Sequence, residues 1–492
     1  MLREPQRERV PSSNRLHVRN LFLRLLGVMF LIAFLSLLSQ VTLLFGSEGL
    51  LPAQRYLTAI RATHGLLDAP TVFWINCSDG VLRAAAGAGA VLSFGLILNR
   101  APRYCLLVLW VLYLSFATIG QDFLSFQWDN LLLESGFFAF FLTPGGWRPT
   151  PVAAPPWGAI VLMQWLVFRL HVESGAAKLL SGDPTWRDLT AMVSYYETAP
   201  LPTWVGWYAH QMPLWAHQLC ALFTFVVELV VPFFMWGPRG LRVPAFLLMI
   251  AMQLSVILTG NYGFFNYLSM ALCVFVLDDG HLERGAERLG RRLRPALPRR
   301  NGLLGQVSGA LLVLILIPVS VVPFLPFVSH AAYQETLPVR RVLNALRSIN
   351  AYHLFANMTL VRREPIIEGS DDGEHWETYE FRYKPGDPDR APPFVAPHQP
   401  RVDFQLWFLL LGGRQSAPYF DTLLARLLED PRAVSALFAR DPFPERPPKF
   451  VRVAVYRYRF SDVATRRASG AWWSRERLGY SQPLTAQSAH AR

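Results

Sequence analysis

The sequence has little cysteine, little lysine and little charge. Its 492 residues include 4 cysteines and no C-x-x-C pair, which argues against a dithiol oxidoreductase and against a disulfide-rich secreted domain. Lysine occurs only at Lys178, Lys384 and Lys449. Charged residues make up 17% of the chain, whereas soluble globular proteins carry about 25%. Together with 52% hydrophobic residues, this composition excludes a disordered chain or a coiled coil and indicates a membrane protein.

Common catalytic motifs are also missing. The chain has no G-x-S-x-G, no H-E-x-x-H, no P-loop and no glycine-rich dinucleotide motif. His171-Val172-Glu173 fits H-x-E, but the P-C-x-x-C that would complete a zinc deaminase site is absent. We therefore predict no cofactor and no metal. The net charge of +12 lies largely beside apolar runs, so we predict membrane lipids rather than nucleic acid as partners.

Nine apolar runs predict a polytopic α-helical membrane bundle with about nine spans, and seven or eight remain alternatives. The runs cover 21–45, 80–98, 104–119, 130–143, 157–179, 214–236, 243–258, 263–277 and 303–328. The first run is too long for a signal peptide, so we interpret it as a retained span. Four others are shorter than the ~20 residues that a helix needs to cross, and each of these is either a short span or half of a hairpin.

The positions of basic residues predict the orientation of this bundle. With the N-terminus in the cytoplasm, seventeen arginines fall in cytoplasmic segments and three in outer ones. Such a bias is typical of a correct topology. Seven of the seventeen lie in 278–302, where the arginine-rich loop 284–300 sets topology or, alternatively, binds anionic lipid. The bundle, 1–328, is then followed by a soluble domain, 329–492, outside the cytoplasm.

The outer domain is predicted to be α+β. Asp372-Gly373 lies between β-forming residues and predicts a hairpin with a type I′ turn, which sets Ile366 opposite Tyr379. The patterns at 404–411 and 419–428 predict short helices, and 450–460 alternates like a strand. A small sheet with helices packed on it is therefore expected.

Ionisable residues at membrane depth are the strongest candidates for function. They are Glu134, Arg169, His171, Glu173, Lys178 and Glu228. Charges there are costly, so they pair and face the bundle interior, as a structural ion-pair network or as a functional cavity. Arg169 and Glu173 are spaced i, i+4, which favours pairing. For Lys178, the residues alone favour a lysine that snorkels to the outer interface, with a buried amine as the alternative.

A segment just outside the fifth run predicts an amphipathic helix on the outer leaflet. Asp183 and Pro184 fit the start of a helix, and apolar residues recur at helical spacing from Trp186 to Tyr196. Such a helix is an interfacial anchor or, alternatively, a surface for an emerging secreted chain.

Several separate motifs resemble the lipase maturation factor family. In the bundle they are Gln127-Trp128-Asp129, Leu133-Glu134-Ser135-Gly136-Phe137, Trp186-Arg187-Asp188-Leu189 and Tyr196-Glu197-Thr198. In the outer domain they are Glu368-Gly369-Ser370, Tyr379-Glu380-Phe381, Tyr383-Lys384-Pro385-Gly386-Asp387, Pro397-His398-Gln399-Pro400-Arg401, Trp407-Phe408, Tyr456-Arg457-Tyr458-Arg459-Phe460 and Trp472-Trp473. The resemblance implies an endoplasmic reticulum membrane protein that assists folding and assembly of secreted lipases. A bacterial source would place it in the inner membrane.

A second resemblance supplies an alternative function. Gly175-Ala176-Ala177-Lys178-Leu179 is similar to a segment of vitamin K-dependent γ-glutamyl carboxylase, which implies an enzyme with Lys178 as base. Our main hypothesis is a non-covalent, chaperone-like maturation factor without catalysis. Its outer domain would bind partly folded secreted clients through exposed aromatic residues, with Trp376, Trp407, Trp472 and Trp473 as candidates. For each tryptophan, a place in the domain core is the alternative.

Overall fold

The computed structural model describes residues 15–63, 65–144, 146–147, 155–293, 303–325, 329–411 and 417–489. Three arginines of the predicted cytoplasmic N-terminus lie outside these residues, as do positions 294–300 of the arginine-rich loop.

The first part of the chain is helical, as its long apolar runs predict. The helices are α1 Leu16–Leu38, α2 Val41–Phe45, α3 Ala53–Ile60, α4 Asp79–Ile97, α5 Pro102–Ile119, α6 Gln127–Leu142, α7 Trp157–Leu180, α8 Pro184–Arg187, α9 Ala191–Thr198, α10 Trp204–His210, α11 Leu214–Leu229, α12 Arg239–Thr259, α13 Phe265–Cys273, α14 Asp279–Arg288 and α15 Leu303–Val321. Short 3-10 turns follow α11 at Val231–Trp236 and α13 at Val274–Val276.

Six helices within the described residues are long and apolar enough to cross a membrane. They span Leu16–Leu38, Asp79–Ile97, Pro102–Ile119, Leu214–Trp236, Arg239–Thr259 and Gln306–Phe324. Helix α6 has 16 residues, and α7 has 24 but includes three buried charged side chains. A polytopic membrane bundle is thus present, whereas the predicted count of nine spans is not confirmed.

Small residues allow close packing where helices α1 and α4 meet. A Cβ atom on Gly89 would lie 2.5 Å from the ring of Phe34, so α4 needs glycine at that position. A Cβ on Gly87, by contrast, would meet open space. The packing between these helices therefore depends on one of the two glycines.

The C-terminal part contains helices and a small sheet, in agreement with the predicted α+β class. Its helices are α16 His330–Glu335, α17 Leu337–Leu346, α18 Arg401–Leu409, α19 Pro418–Glu429, α20 Val463–Ser469 and α21 Ala486–Ala489, and its strands are β1 Arg362–Ser370, β2 Glu377–Thr378, β3 Glu380–Phe381, β4 Phe438–Arg440, β5 Phe450–Phe460 and β6 Trp473–Tyr480. The strand order in the main sheet is β2-β1-β5-β6, with antiparallel pairs throughout, and β3 pairs with β4. Helix α18 packs against β1 and α19 against β5.

The predicted hairpin forms, but its register is wrong by one residue. Strands β1 and β2 pair Glu368 with Thr378, and the N–H of Tyr379 donates to Ile367 rather than facing Ile366. A type I′ turn needs positive φ at both central residues, and Asp372 does not have it. Instead, Asp372 Oδ1 accepts hydrogen bonds from the N–H groups of Glu374 and His375, both at 2.8 Å. This side-chain cap widens the loop.

One continuous cluster of buried apolar residues joins the two parts of the chain. It runs from Phe22 and Phe34 in α1 to Phe404 in α18 and Tyr458 in β5. The boundary proposed at residue 328 therefore stays a prediction, and the C-terminal part packs directly on the bundle.

Candidate functional site

One buried charge cluster surrounds Arg169, in the middle of α7. Arg169 Nη1 donates to Glu134 Oε1 on α6 at 2.8 Å, and its Nε donates to Glu173 Oε1 at 2.8 Å. All three side chains are at most 1% exposed. An unpaired charge at such a position would cost on the order of several kcal/mol, so these contacts permit the burial.

A segment from the C-terminal part completes this cluster. Two carboxylates against one guanidinium leave a surplus negative charge. The N–H of Asn350 and the hydroxyl of Tyr352 donate to Glu134 Oε2 at 2.9 and 2.7 Å, and the N–H of Tyr352 donates to Glu173 Oε2 at 2.9 Å. Arg169 in turn donates to the carbonyl of Asn350. We call these five residues the Arg169 cluster. Its hydrogen bonds depend on the 350–352 segment being in place.

A buried pair of Asp129 and Arg401 links α6 to the start of α18. Arg401 Nη1 and Nη2 donate to Asp129 Oδ2 and Oδ1 at 2.6 and 2.8 Å, a bidentate geometry. Tyr113 donates to Asp129 Oδ1 at 2.5 Å, and Arg401 Nη1 also donates to the Phe123 carbonyl at 2.8 Å. Bidentate charge-assisted pairs of this kind fix orientation as well as distance. This pair holds the α18 end of the C-terminal part to the bundle.

A third contact involves Glu197, at the end of α9. Its carboxylate accepts from the N–H of Phe460 at 2.8 Å, and its carbonyl accepts from Arg362 Nη1 at 2.9 Å. Burial raises the pKa of Glu197, while the Phe460 N–H and the charge of Arg362 oppose that shift. Arg362 also pairs with Glu364 at 2.5 Å, and Lys384 Nζ lies 2.9 Å from the other Glu364 oxygen.

The motifs that carried the family resemblance thus bind one another across the molecule. Asp129 belongs to a bundle motif and Arg401 to a C-terminal one, and the same holds for Glu197 and Phe460. Sequence reasoning missed these pairs because it considered charges within apolar runs. These motifs do contain a hint of the Asp129–Arg401 pair, because one motif holds an acidic residue and another holds an arginine, each without an oppositely charged partner in its own motif.

Lys178 and Glu228 form another buried pair. Lys178 Nζ donates to both Glu228 oxygens, at 2.8 and 2.9 Å, and to the Ser174 carbonyl at 3.4 Å. It also lies 5.3 Å from the centre of the Trp186 ring. Lys178 is 3% exposed, so it does not snorkel to an interface. Its protons are held by a carboxylate, whereas a lysine base needs a free amine.

The Lys178 pair lies at the floor of a cavity. The cavity measures about 170 Å³ and lies between α7, α9, α11 and α12. Trp186, Tyr196, Cys220 and Met252 are among the side chains that line it. Most of the lining is apolar, and the ion pair is its charged part.

His171 belongs to neither cluster. Its Nδ1 lies 2.8 Å from the Val167 carbonyl on the same helix, and the side chain is 2% exposed. The six predicted intramembrane residues are therefore two clusters and a separate histidine, not one network.

Comparisons with known proteins match both parts of the chain. The family model for the lipase maturation factor transmembrane domain matches residues 17–284, and the model for the lipase maturation factor C-terminal domain matches residues 348–483. Lipase maturation factor 2 of Homo sapiens is 32% identical over 93% of this chain and 81% of its own length. Lipase maturation factor 1 of Bos taurus is 34% identical over 95% of this chain and 89% of its own length. This chain belongs to the lipase maturation factor family.

Other comparisons bear on the fold and on the alternative function. Lipase maturation factor 2 of Gallus gallus is 33% identical over 94% of this chain and 80% of its own length. No solved structure matches the chain significantly. These matches give no support to the carboxylase resemblance. In this chain, the buried pairs connect the two regions that the family models match.

The predicted outer amphipathic helix is wrong. The chain forms two short helices, α8 and α9, separated by Leu189 with a φ of 57°. Trp186 and Tyr196 are buried, and Trp186 Nε1 donates to the Phe355 carbonyl at 2.9 Å. Asp183 caps α8 and also accepts from the Met358 N–H at 2.6 Å. These contacts direct the aromatic side of the segment toward the protein, while Arg187 and Asp188 are exposed.

The four candidate tryptophans lie in different environments. Trp473 is 2% exposed and stacks on Phe460, so it belongs to the core. Trp472 packs against Trp207 of α10, with ring centres 5.5 Å apart. Trp376 is half-buried beneath the guanidinium of Arg452, 4.0 Å from its ring.

Trp407 is the candidate that lines an open surface. It borders a groove of about 300 Å³ together with Leu360, Val361, Arg363 and Leu410. Leu360 is 60% exposed and Val361 43%. This groove thus combines aliphatic side chains with one of the predicted client-binding residues.

Proposed function

We propose that this protein is a membrane-embedded maturation factor that helps exported lipases to fold and assemble without covalent chemistry. The observation that carries the proposal is its match to lipase maturation factors 1 and 2 through both of its parts. The buried pairs between bundle and C-terminal part support it further, because they hold a client-binding surface at a fixed position beside the membrane.

The location of that surface follows from topology. The excess of arginine in alternate segments favours a cytoplasmic N-terminus. With the odd number of spans that the nine apolar runs predict, the C-terminal part then faces the lumen of the endoplasmic reticulum, or the periplasm if the source is bacterial. Newly exported proteins arrive in both compartments. A reporter fused after the C-terminus and active only outside the cytoplasm is the expected result, and a cytoplasmic signal would overturn the proposal.

The groove beside Trp407 is the client-binding surface in this proposal. Partly folded proteins expose apolar side chains, and an aromatic side chain in a groove is a typical anchor for them. Exposed Leu360 and Val361 extend the apolar surface, and exposed Arg363 adds a positive charge at its edge. The expected occupant is an extended, apolar segment of a lipase that has not finished folding. Trp376 and Trp472 are not part of this proposed surface, because neighbouring side chains cover parts of their rings.

Paired tryptophan variants test this assignment. Trp407→Ala should lower client affinity roughly tenfold or more, since central aromatic anchors contribute about 2 kcal/mol or more. Trp376→Ala is the matched control, because it removes an equally large ring from the same domain, and it should change affinity little. The measurements are photo-crosslinking of a co-expressed secreted lipase from position 360 and the activity of the lipase that is released.

Equal effects of the two substitutions would contradict the groove assignment. Thermal unfolding of both variants separates loss of binding from loss of folding. An intact mass of the released client tests the mechanism, since a non-covalent factor leaves that mass unchanged.

A further inference from the structure

The cavity beside the Lys178 pair is lined in part by two of the membrane-spanning helices, α11 and α12. Its floor is formed by side chains that are buried, namely Lys178, Trp186 and Glu228. Its rim is formed by Cys220 and Phe223 on α11, which are partly exposed, and by Ser255 on α12, which is exposed. This exposure indicates a mouth between α11 and α12, and Met192 and Phe355 of the lining are partly exposed as well.

Both helices present apolar side chains to their surroundings next to this mouth. On α11, Leu219 and Leu222 are 56% and 47% exposed, and on α12, Leu254 and Leu258 are 45% and 49% exposed. Helices with this composition and exposure face lipid rather than water. Lipid hydrocarbon is therefore expected at the mouth of the cavity.

The threonine and serine hydroxyls of the lining have partners without any ligand, whereas the hydroxyl of Tyr195 is buried and has no hydrogen-bond partner among the described residues. Thr224 donates to the Cys220 carbonyl at 2.9 Å, Ser255 to the Met252 carbonyl at 2.7 Å, and Thr259 to the Ser255 carbonyl at 2.8 Å. These back-bonds turn the three hydroxyl hydrogens toward the helices. What remains facing the cavity is largely methyl, aromatic and thioether surface.

The charge in the cavity is neutralised as well. Lys178 directs its donors to Glu228 and to the Ser174 carbonyl, so an anionic group would have to displace a bidentate carboxylate. Breaking a buried ion pair of this kind is strongly unfavourable. The electrostatics therefore select an uncharged occupant.

We propose that this cavity is a binding site for the hydrocarbon tail of a lipid, which enters laterally between α11 and α12. A saturated chain is unbranched, carries no polar group and is present at the mouth at very high local concentration. Its burial releases free energy in proportion to the apolar area that is covered. The site is independent of the client groove, so the two proposals can fail separately.

Photo-crosslinking in a defined bilayer tests the site. The full-length protein is placed in nanodiscs of phosphatidylcholine that contain a fraction of phosphatidylcholine with a diazirine in the middle of one acyl chain. A second arm uses a diazirine-bearing fatty acid in the same bilayer. After irradiation, mass spectrometry maps the adducts. We expect adducts on cavity residues such as Phe223, Tyr196 and Met252, and the arm that yields more of them identifies a phospholipid or a free fatty acid as the source of the tail.

A pair of variants on α11 separates the cavity from the outer surface. Thr224→Trp fills the cavity and should lower the cavity adducts roughly tenfold, which corresponds to excluding about two methylene groups. Leu222→Trp places the same ring on the lipid-facing side of the same helix and should leave them unchanged. Alkylation of Cys220 by N-ethylmaleimide in detergent should slow when lipid is added back, whereas alkylation of Cys105, which lies outside the cavity, should not.

Two results would overturn the proposal. One is a wild-type map with adducts confined to outward residues such as Leu219 and Leu222. The other is an unchanged yield of cavity adducts in a folded Thr224→Trp variant. The wild-type map decides by itself if that variant fails to fold.

Discussion

Helix α7 carries two buried ionic sites that differ in what completes them. In the Arg169 cluster, the carboxylates accept from two N–H groups and a hydroxyl of residues 350 and 352. Lys178, by contrast, donates to Glu228 and to a carbonyl of its own helix. The sites are nine residues apart, about 14 Å along the helix at 1.5 Å per residue. The two sites on α7 therefore have different roles. The Arg169 cluster fixes the C-terminal part in place, and the Lys178 pair borders a cavity.

Charge balance explains the difference between the sites. The Lys178 pair is neutral, so it needs no further partner. The Arg169 cluster has one cation and two carboxylates, and withdrawal of the 350–352 segment would leave a surplus charge without donors. Docking of the C-terminal part and burial of Glu134 and Glu173 are therefore linked. The Asp129–Arg401 pair links the two parts in the same way.

Removal of the cation from the Arg169 cluster should have the largest effect. Arg169→Met keeps most of the volume but leaves two carboxylates buried together, and we expect a loss of about 3–5 kcal/mol in the free energy of unfolding. Thermal unfolding of the purified protein in detergent measures it. Arg187→Met, on an exposed arginine, is the control and should change little. A variant within about 1 kcal/mol of wild type would show that the cluster is not required for stability.

The junction pair should give the next largest effect. Asp129→Asn removes the charge that Arg401 requires, and hydrogen bonds to charged groups contribute about 1.5–3 kcal/mol each. We expect faster hydrogen exchange in α18 and in residues 395–400, with little change around Lys178. If hydrogen exchange rises equally in α18 and around Lys178, the Asp129–Arg401 pair and the Lys178 pair do not act independently.

A conservative change at the Lys178 pair should be smaller still. Lys178→Arg keeps the charge, and the neighbouring cavity leaves room for the guanidinium to meet both Glu228 oxygens. We expect less than about 1 kcal/mol of destabilisation and nearly intact client maturation. The carboxylase alternative requires a lysine base, so a folded Lys178→Arg protein without activity would revive it.

The sequence was a good guide to features that depend on neighbouring residues. Long apolar runs located α1, α4, α5 and α7 because a helix of apolar side chains is recognised by length and composition alone. The pairing of Arg169 with Glu173 was also accessible, since residues four apart share a helix face.

Features that depend on distant residues could not be obtained in this way. Lys178 meets Glu228 50 positions later, and Asp129 meets Arg401 272 positions later, so only the packed helices bring them together. The prediction of one helix around Trp186 was wrong for a related reason. Its helical periodicity is real, but the contacts of Trp186 and Asp183 with residues 355–358 break it at Leu189.

An exposed ion pair outside the bundle is the reference for the buried pairs, and its loss should have the smallest effect on stability. His375 Nδ1 lies 2.7 Å from Asp372 Oδ2 in the β1–β2 loop, and both side chains are exposed. The hydrogen bond to Asp372 raises the pKa of His375, and the same bond with two backbone N–H groups lowers the pKa of Asp372. The contribution from His375 is complete below its unfolded pKa of about 6.5 and is lost as the pH rises through the raised value. The contribution from Asp372 is present above about pH 3.9 and is lost as the pH falls through the lowered value.

Both contributions to this loop therefore coexist between about pH 4 and 6.5, and they should weaken with added salt because the pair is exposed. Carbon-13 NMR of labelled histidine in the full-length protein should show His375 titrating above its ordinary range, and Asp372→Asn should return it to that range. The buried pairs should not respond to salt over this window, since solvent ions do not reach them. A His375 that titrates below 6.5 would contradict the pairing, and a salt-sensitive unfolding of the Asp129–Arg401 junction would contradict the contrast between exposed and buried sites.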